Sequence, residues 1–371
     1  MRILWFNWRC WLNPQAGGAE VHVREVAKRW AEWGHKITLF CGKYEGCKEH
    51  EELDGVEIIR RGYRYTVYPC AAEEYLRVLR KRGYDIVIDD INGVPFFTPL
   101  YIKKPKVAIV HHLVKDIFFR ELPWDKAVLG YSAERMIPLV YYDTPFVAVS
   151  ESTKEDLMRL GIRERGIKVV HNGIDHELFK LNQDPKSSHP HVVYVGRIKR
   201  YKNLDQLLRA FSIVADTLRR EGIEGFKLTI AGRGNHEDLR ELAEKLDIAS
   251  VVDFLGEIDD AEKVRLLQAA WVFVTASMRE GWGLTTVEAM ASGTPVVGYD
   301  VPGVSDSIIS GKTGFLVPYG DVEEMAEKLV RVIRDERLKK EFSQNALEWS
   351  MNFDWNRTAG ELVDFIESIM P

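Results

Sequence analysis

Short apolar runs alternate with amphipathic segments along the whole chain. Residues 2–7 form the first apolar run, and apolar side chains then recur at helical spacing in residues 19–33, which predicts a strand followed by a helix. Gly34 is placed to end that helix, and residues 36–40 predict the next strand. Strands that alternate with helices in this way predict a parallel sheet with helices on both faces.

The alternation continues to residue 170, stops, and then restarts. In the first half it predicts strands at 86–89, 106–110, 146–149 and 167–170 and helices at 72–81 and 151–160. In the second half it predicts strands at 191–195, 226–231, 251–255, 271–275, 295–297 and 314–317 and helices at 204–218, 237–246, 261–270, 284–290 and 322–333.

Residues 182–190 separate the two halves, because they are polar, proline-containing and without apolar periodicity. We therefore expect an α/β domain at 1–181, a linker at 182–190 and a second α/β domain at 191–353. Two such domains in tandem would leave a cleft between them, which is a favoured place for a ligand. Residues 355–370 carry an apolar stripe at helical spacing that must be buried somewhere.

Composition fits an ordinary soluble protein, with 46% hydrophobic and 29% charged residues among 371. No apolar run approaches about 18 residues and no cationic leader precedes one, so the expected compartment is the cytoplasm. The four cysteines contain no CxxC pair and are expected to be reduced. Residues 1–180 carry 28 Lys and Arg against 25 Asp and Glu, a net +3, which is too little to predict nucleic-acid binding.

Chemistry is most concentrated between two glutamates, Glu280 and Glu288, that bracket a glycine-rich turn. The turn follows a predicted strand and opens a predicted helix, whose first N–H groups and positive dipole end favour an anion. Glycine lets the backbone approach a ligand closely, so a phosphate could rest on these amides. The residues of this candidate phosphate site are Gly281, Trp282, Gly283, Leu284 and Thr285.

Several further stretches, in order along the chain, strengthen this hypothesis. They are Gly17-Gly-Ala-Glu20, Val147-Ala-Val-Ser-Glu151, Val170-His-Asn-Gly-Ile-Asp175, Val195-Gly-Arg197 with Lys202-Asn-Leu204, Ile230-Ala-Gly-Arg-Gly234, Phe254-Leu-Gly256 and Gly293-Thr-Pro-Val-Val297. Each is weak alone, but with the seven residues between Glu280 and Glu288 the ordered set resembles the GT-B glycosyltransferases, and within them the large retaining family 4.

The resemblance implies an α/β GT-B fold, in which two Rossmann-like domains face a central cleft and a C-terminal helix, here 354–371, crosses back to the first domain. It also implies retaining transfer of a hexosyl unit from a UDP- or GDP-sugar to a hydroxyl of a glycan, lipid-linked or small-molecule acceptor. A sugar-nucleotide epimerase of the same architecture and a non-catalytic sugar-nucleotide-binding protein remain as alternatives. A dinucleotide-dependent dehydrogenase is disfavoured, because no stretch completes G-x-G-x-x-G after a strand.

By the same resemblance, Arg197 and Lys202 grip the diphosphate, Glu288 binds the ribose and Glu280 orients the sugar. Cations aimed at a diphosphate also make physical sense, because negative charge grows on the leaving group as the glycosidic bond breaks. Backbone near Gly232, Gly256 and Ile258 would contact the nucleobase. The first domain would supply a loop at Gly17-Gly18 and a histidine, His111, whereas His112 is expected to be structural because adjacent side chains of a strand point to opposite faces.

No cofactor or metal is expected. The acidic pair Asp89-Asp90 lacks the D-x-D pattern of metal-dependent glycosyltransferases and is expected to form a turn at a strand end. Arg197, Lys202 and the helix start could neutralise the diphosphate without a cation.

The acceptor side is open to two interpretations. Residues 117–124 combine aromatic and charged side chains, and Lys103, Lys104 and Lys106 lie nearby in the sequence. Such a surface could make peripheral contact with an anionic membrane, or it could be a partly buried loop beside solvated lysines. Residues 7–14, an aromatic entry to the Gly17-Gly18 loop, have no assigned role beyond an expected influence on acceptor choice.

Overall fold

The computed structural model describes residues 1–181 and 186–370. The chain divides into two compact units, one formed by Met1–Gly173 with the chain from Phe353 onward and the other by Ile174–Asn352. Each unit is an α/β sheet covered by helices, as the alternating pattern predicts.

The first unit holds an eight-stranded sheet in the order β3-β4-β2-β1-β5-β6-β7-β8, in which only the β3–β4 pair is antiparallel. Its strands are β1 Arg2–Phe6, β2 Lys36–Cys41, β3 His50–Leu53, β4 Val56–Arg60, β5 Ile86–Ile91, β6 Lys106–Val110, β7 Phe146–Ala148 and β8 Ile167–Val169. Its helices before residue 173 are α1 Gly18–Glu32, α2 Val67–Arg77, α3 Ile117–Glu121, α4 Trp124–Arg135, α5 Ile137–Val140 and α6 Glu151–Leu160.

The second unit holds a six-stranded, all-parallel sheet in the order β11-β10-β9-β12-β13-β14. Its strands are β9 His191–Val195, β10 Lys227–Ala231, β11 Val252–Gly256, β12 Val272–Thr275, β13 Val296–Tyr299 and β14 Gly314–Val317. Its helices are α7 Leu204–Arg220, α8 Glu237–Lys245, α9 Asp260–Ala269, α10 Leu284–Ala291, α11 Val304–Ser307, α12 Val322–Arg334 and α13 Glu336–Ser350. Short 3-10 helices occur at Leu79–Arg82, Thr98–Leu100, Glu164–Gly166, Arg200–Lys202 and Ala249–Val251.

Alternation along β1 explains how its sheet is covered on both faces. Ile3 and Trp5 pack into one core cluster, and Leu4 and Phe6 into another on the opposite face. Because successive side chains of a strand point to opposite faces, a strand that is apolar at every position must have a layer on each side.

The last helix, α14 Trp355–Ile369, completes the core of the first unit. Its buried side chains Ala359, Leu362, Val363 and Ile366 belong to the same cluster as Trp5 and Trp30. The indole Nε1 of Trp30 donates to the carbonyl of Ala359 over 3.0 Å. The apolar stripe is thereby buried, and the expected return of the C-terminal helix to the first domain is confirmed.

The division between the units lies at Gly173, eight residues before the expected boundary at 181. Contacts within the second unit account for this difference. The side chain of Gln268 donates to the carbonyl of Lys180 over 2.8 Å, and Lys263 lies 4.9 Å from the ring centre of Phe179. Residues 182–185 of the expected linker lie outside the described residues. Within the rest of the linker, the carbonyl of Ser187 accepts a hydrogen bond from Trp271 Nε1 over 2.7 Å.

Two segments of the first unit differ from what the sequence predicted. The pair Asp89-Asp90 is not a turn at a strand end but lies inside β5, where both side chains are fully buried. Residues 117–124 are not a loop but contain α3, whose Ile117 and Phe118 are buried. Within the described part of the chain, no helix is both long and apolar enough to span a bilayer.

Candidate functional site

The candidate site of the second unit lies where its strands end. Counted in chain order, the sheet has the arrangement 3-2-1-4-5-6, so the connections reverse direction between β9 and β12. In open parallel sheets a crevice forms at such a reversal, outside the carboxyl ends of the two strands. The loops that follow β9 and β12 carry Arg197, Lys202 and the Glu280–Glu288 stretch, so the topology places these residues at the reversal.

Close glycine packing shapes the neighbouring loops, which follow β9, β10 and β11. The N–H of Gly232 donates to the carbonyl of Gly256 over 2.6 Å, and Gly196 donates to Ala231 over 2.9 Å. Gly232 has a φ of +142°, and a Cβ on it would lie only 1.9 Å from the carbonyl oxygen of Gly196. Only glycine fits there, so these three loops are held at backbone contact distance. Ile258, which is half-buried, lies in the loop after β11.

An ion pair joins the loops after β9 and β12. The ammonium of Lys202 contacts a carboxylate oxygen of Glu280, and the side chains are only 12% and 20% exposed. Burial on its own would lower the pKa of Lys202, but the charge of Glu280 outweighs it, and the pKa ends well above its ordinary value. Lys202 therefore stays charged while largely removed from water.

Hydrogen bonds to backbone carbonyls connect the loop after β9 to the loop after β12. The side-chain amide of Asn203 donates to the carbonyl of Ala276 over 3.0 Å, and the N–H of Met278 donates to the carbonyl of Tyr201 over 2.8 Å. Arg197 is half-buried and its guanidinium lies 3.4 Å from the hydroxyl of Tyr201. The predicted diphosphate residues Arg197 and Lys202 thus belong to one loop that is tied to the predicted sugar-binding loop.

Helix α10 begins at Leu284, within the predicted anion-binding turn. Gly283 precedes it with a φ of +75°, a conformation that glycine adopts without strain. The first N–H groups of this helix, including those of Leu284 and Thr285, lack intrahelical acceptors and carry the positive end of the helix dipole. Trp282 is 2% exposed and anchors the turn, whereas Gly281 is half-buried.

Glu288 lies one turn further along α10, and its carboxylate contacts the ammonium of Lys263 on α9. Lys263 could not be singled out from the sequence, because its contact with Glu288 depends on how α9 packs against α10. The two glutamates of the stretch therefore have different cationic partners, Lys202 for Glu280 and Lys263 for Glu288.

In the first unit, the predicted Gly17-Gly18 loop is held by a buried pair. Arg9 Nε lies 3.1 Å from Glu20 Oε1, and Glu20 Oε2 accepts the N–H of Gly17 over 2.7 Å. Arg9 also donates to the carbonyl of Gln15 over 2.6 Å. Residues 7–14, for which the sequence predicted only an influence on acceptor choice, thus supply the cation that fixes the start of α1.

His111 directly follows β6 and is 5% exposed. Its Nε2 lies 3.0 Å from a carboxylate oxygen of Asp90 in the neighbouring strand β5. The ring of His22, on α1, meets it edge to face with the ring centres 5.1 Å apart. His111 and the helix that follows Gly17-Gly18 are therefore in direct contact through His22.

Replacement of Gly232 by alanine tests the backbone packing of the nucleotide-side loops. The added Cβ would overlap the carbonyl of Gly196, and since that atom belongs to the backbone it cannot rotate away. We expect Gly232→Ala to lower the free energy of unfolding by about 3 kcal/mol or more in a urea titration. Gly222→Ala is the matched control, because Gly222 also has positive φ, +69°, but no atom lies within 4 Å of its added Cβ; about 1 kcal/mol is expected there. Equal losses for the two variants would contradict the close packing.

Comparison with known proteins agrees with this geometry. The family models of Glycosyltransferase Family 4 and of Glycosyl transferases group 1 match residues 16–178 and 177–349. Phosphatidyl-myo-inositol mannosyltransferase of Mycolicibacterium smegmatis is 33% identical over 375 residues, which cover 95% of this chain and 90% of that protein. The protein of the same name from Mycobacterium leprae is 31% identical over 196 residues, and there the match spans only about half of each protein, 51% and 52%.

Solved structures agree in fold over nearly the full length. Sucrose-phosphate synthase from Thermosynechococcus elongatus superposes with a TM-score of 0.82 at 20% identity, with 99% of this chain and 98% of that chain covered. Anabaena Alr3699/HepE in complex with UDP-glucose gives 0.77 at 17% identity, with 99% and 100% covered. The chain therefore belongs to glycosyltransferase family 4 and is a glycosyltransferase of the GT-B fold.

Proposed function

We propose that this glycosyltransferase transfers a hexosyl unit from a nucleoside-diphosphate sugar to a hydroxyl group of an acceptor, with retention of the anomeric configuration. The observation that carries the proposal is the ion pair of Lys202 and Glu280 at the reversal of the second sheet. It places a cation suited to a diphosphate and a carboxylate suited to sugar hydroxyls side by side.

The diphosphate would bind between the loop after β9 and the start of α10. Four of the six residues from Arg197 to Lys202 are cationic. Of these, Arg197 and Lys202 are half-buried and the other two are exposed, which favours the half-buried pair as the ligand-binding cations. A leaving nucleoside diphosphate gains negative charge as the glycosidic bond breaks, so fixed cations and helix N–H groups stabilise the transition state more than the ground state. Lys202 in particular needs no reorganisation, because Glu280 already keeps it charged and oriented.

Glu280 and Glu288 would bind the two sugar rings of the donor. Glu280, beside Lys202, would accept hydrogen bonds from hydroxyls of the transferred sugar, and Glu288 would accept them from the ribose. Both side chains are mostly buried and each contacts a lysine ammonium. Carboxylate oxygens accept strong hydrogen bonds from hydroxyl groups. The glycine-lined backbone at Gly232 and Gly256, with Ile258, would contact the nucleobase.

In the first unit, His111 and the Gly17-Gly18 loop would contact the transferred sugar and the acceptor. The rigid support of both features favours this role. Glu20 and Arg9 fix the loop, and Asp90 and His22 fix the histidine. Groups held this firmly can orient a substrate at little entropic cost.

The sugar donor would be a UDP- or GDP-hexose. Two similar proteins support this range: one is named a mannosyltransferase, and the structure of the other contains UDP-glucose. The acceptor would be a hydroxyl of a glycan, a lipid-linked compound or a small molecule. We propose that no metal ion or other cofactor is required, because Arg197, Lys202 and the start of α10 can balance the charge of the diphosphate.

Incubation with a panel of UDP- and GDP-sugars, with and without candidate acceptors, tests the proposed reaction. We expect nucleoside diphosphate to be released only when both a sugar donor and an acceptor are present, and to be released equally after treatment with a chelator. The anomeric configuration of the product, read by NMR coupling constants, should match that of the donor. Epimerised nucleotide sugar without release would point to an epimerase, binding without turnover to a binding protein, and an inverted product would contradict retention.

We further propose that the first unit makes peripheral contact with an anionic membrane surface. Exposed aromatic and apolar side chains lie on α4, where Trp124 is 75% and Leu129 71% exposed, and just after α5, where Tyr142 is 81% exposed. Exposed cations accompany them at Lys103, Lys104, Lys126 and Arg135. Exposed aromatic and apolar groups with neighbouring cations are typical of surfaces that rest on anionic lipid.

Co-sedimentation with vesicles tests this contact. The chain should pellet with vesicles that contain anionic lipid at low salt and much less with zwitterionic vesicles, and Trp124→Ala should lower the bound fraction several-fold. Met351→Ala, at a position 62% exposed in the second unit, is the matched control and should have no effect. No binding to anionic vesicles at low salt would dispose of the membrane contact.

A further inference from the structure

A chain of buried polar side chains surrounds His111 in the first unit. Trp5 on β1, Asp90 on β5 and His22 on α1 are fully buried, and Asn172 is 4% exposed. These side chains come from three different elements and the segment after β8, yet each contacts the next. Polar groups enclosed in a core in this way cost stability unless they have partners, so their arrangement needs a reason.

On one side of the histidine, Asp90 accepts one hydrogen bond and makes one close contact. Its Oδ2 accepts the indole N–H of Trp5 over 3.0 Å, and its Oδ1 lies 3.0 Å from Nε2 of His111. A carboxylate oxygen at that distance favours a proton over a lone pair on Nε2, although the oxygen lies off the N–H direction and the two atoms form a close charge contact rather than a directed hydrogen bond. The bond from Trp5 prevents the carboxylate from turning away.

On the other side, the imidazole of His22 packs against the ring of His111. Its Nδ1 lies 2.7 Å from the side-chain oxygen of Asn172, which assigns the proton of His22 to Nδ1. Burial first, and the neighbouring imidazole of His111 second, lower the pKa of His22 to about 4. The two imidazoles meet at 81°, so the ring of His111 is enclosed between an anion and a neutral ring.

Nδ1 is the other ring nitrogen of His111. Within residues 1–181 and 186–370, no polar atom forms a hydrogen bond with Nδ1, although the residue is 5% exposed. A nitrogen that is nearly buried and without a protein partner is available to a ligand. Its character depends on Nε2, because in a neutral imidazole a proton on one nitrogen leaves a lone pair on the other.

We propose that Asp90 is a positioning residue for the transfer reaction, which keeps the proton of His111 on Nε2 and so makes Nδ1 the nitrogen that meets the transferred sugar. The inference rests on the proposed function of this site. It assigns Asp90 an action through His111 only, with no contact to the substrate. Trp5 and His22 support it by fixing the carboxylate and the ring.

The neighbouring carboxylate provides a control within the same strand. Asp89 points to the opposite face of β5, where it accepts the hydroxyl of Thr98 over 2.8 Å, the N–H of Phe96 over 3.2 Å and the hydroxyl of Tyr141. It is as fully buried as Asp90 but belongs to a network that does not include His111. Asp89→Asn therefore reproduces the loss of a buried charge from β5 without touching the histidine.

Nitrogen NMR of the full chain with ¹⁵N-labelled histidine reads the proposal directly. The signals of His111 are assigned by their loss in His111→Asn. In the wild-type chain the proton should lie on Nε2. In Asp90→Asn the introduced amide can donate to Nε2, so the proton should move to Nδ1, whereas Asp89→Asn should leave the His111 signals unchanged. An unchanged His111 signal in Asp90→Asn, or equal changes in both variants, would overturn the proposal.

Kinetics separate this inference from the proposed function. Asp90→Asn should lower kcat about tenfold or more with KM for the sugar donor within about twofold, because an interaction is lost after binding. If the wild-type chain transfers no sugar but the proton still moves in Asp90→Asn, the proposed function fails and the positioning by Asp90 stands. Should Asp90→Asn fail to fold, Trp5→Phe, which frees the carboxylate but keeps its charge, should shift the His111 signals in part; no shift would count against the proposal.

Discussion

The ion pair between Lys202 and Glu280 is the interaction on which the candidate site depends. It connects the loop after β9 to the loop after β12, the two strands between which the sheet reverses direction. Both charges are mostly removed from water, so loss of either partner would leave the other uncompensated at a cost on the order of 3 kcal/mol. The electrostatic cost of burial stays low only while both members are present, which explains why a cation and a carboxylate can stay together at a site that we propose binds an anion.

Both units follow the same physical strategy. Each presents its functional groups at strand ends or helix starts and supports them with buried polar partners. In the second unit the support is the close glycine packing around Gly232 and the bond from Asn203 to Ala276. In the first unit it is the pair of Arg9 and Glu20 and the contact of Asp90 with His111. Flexible side chains are thus held in place before any ligand arrives, which lowers the entropic cost of binding.

Periodicity predicted most of the fold, because apolar runs and helical spacing report on local burial. The strands at Lys106–Val110, His191–Val195 and Gly314–Val317 have the predicted bounds, and so does helix Glu151–Leu160. The pattern missed the β3–β4 hairpin, whose strands are partly polar, although its turn, Asp54-Gly55 with positive φ at both residues, is a recognisable hairpin signal. It also missed α13 at Glu336–Ser350, where charged residues obscure the apolar face.

Residues of the candidate site could be predicted only where they belong to a recognisable sequence motif. The motifs brought Glu280, Glu288, Arg197 and Lys202 into one hypothesis, and the structure places them in connected loops. Their partners were not predictable, because Lys263, Arg9 and Asp90 act through contacts between residues far apart in the sequence. Asp90 shows the reason most clearly: nothing in the sequence distinguishes it from Asp89, and only the fold sends one side chain to His111 and the other to Thr98.

The steady-state kinetics of Glu280→Gln and Glu288→Gln distinguish the proposed roles of the two glutamates, because both substitutions keep the shape of the side chain and remove its charge. With Glu280 at the transferred sugar and Glu288 at the ribose, Glu280→Gln should lower kcat strongly, and Glu288→Gln should mainly raise KM for the sugar donor. An unchanged kcat in Glu280→Gln together with an abolished kcat in Glu288→Gln would contradict the account.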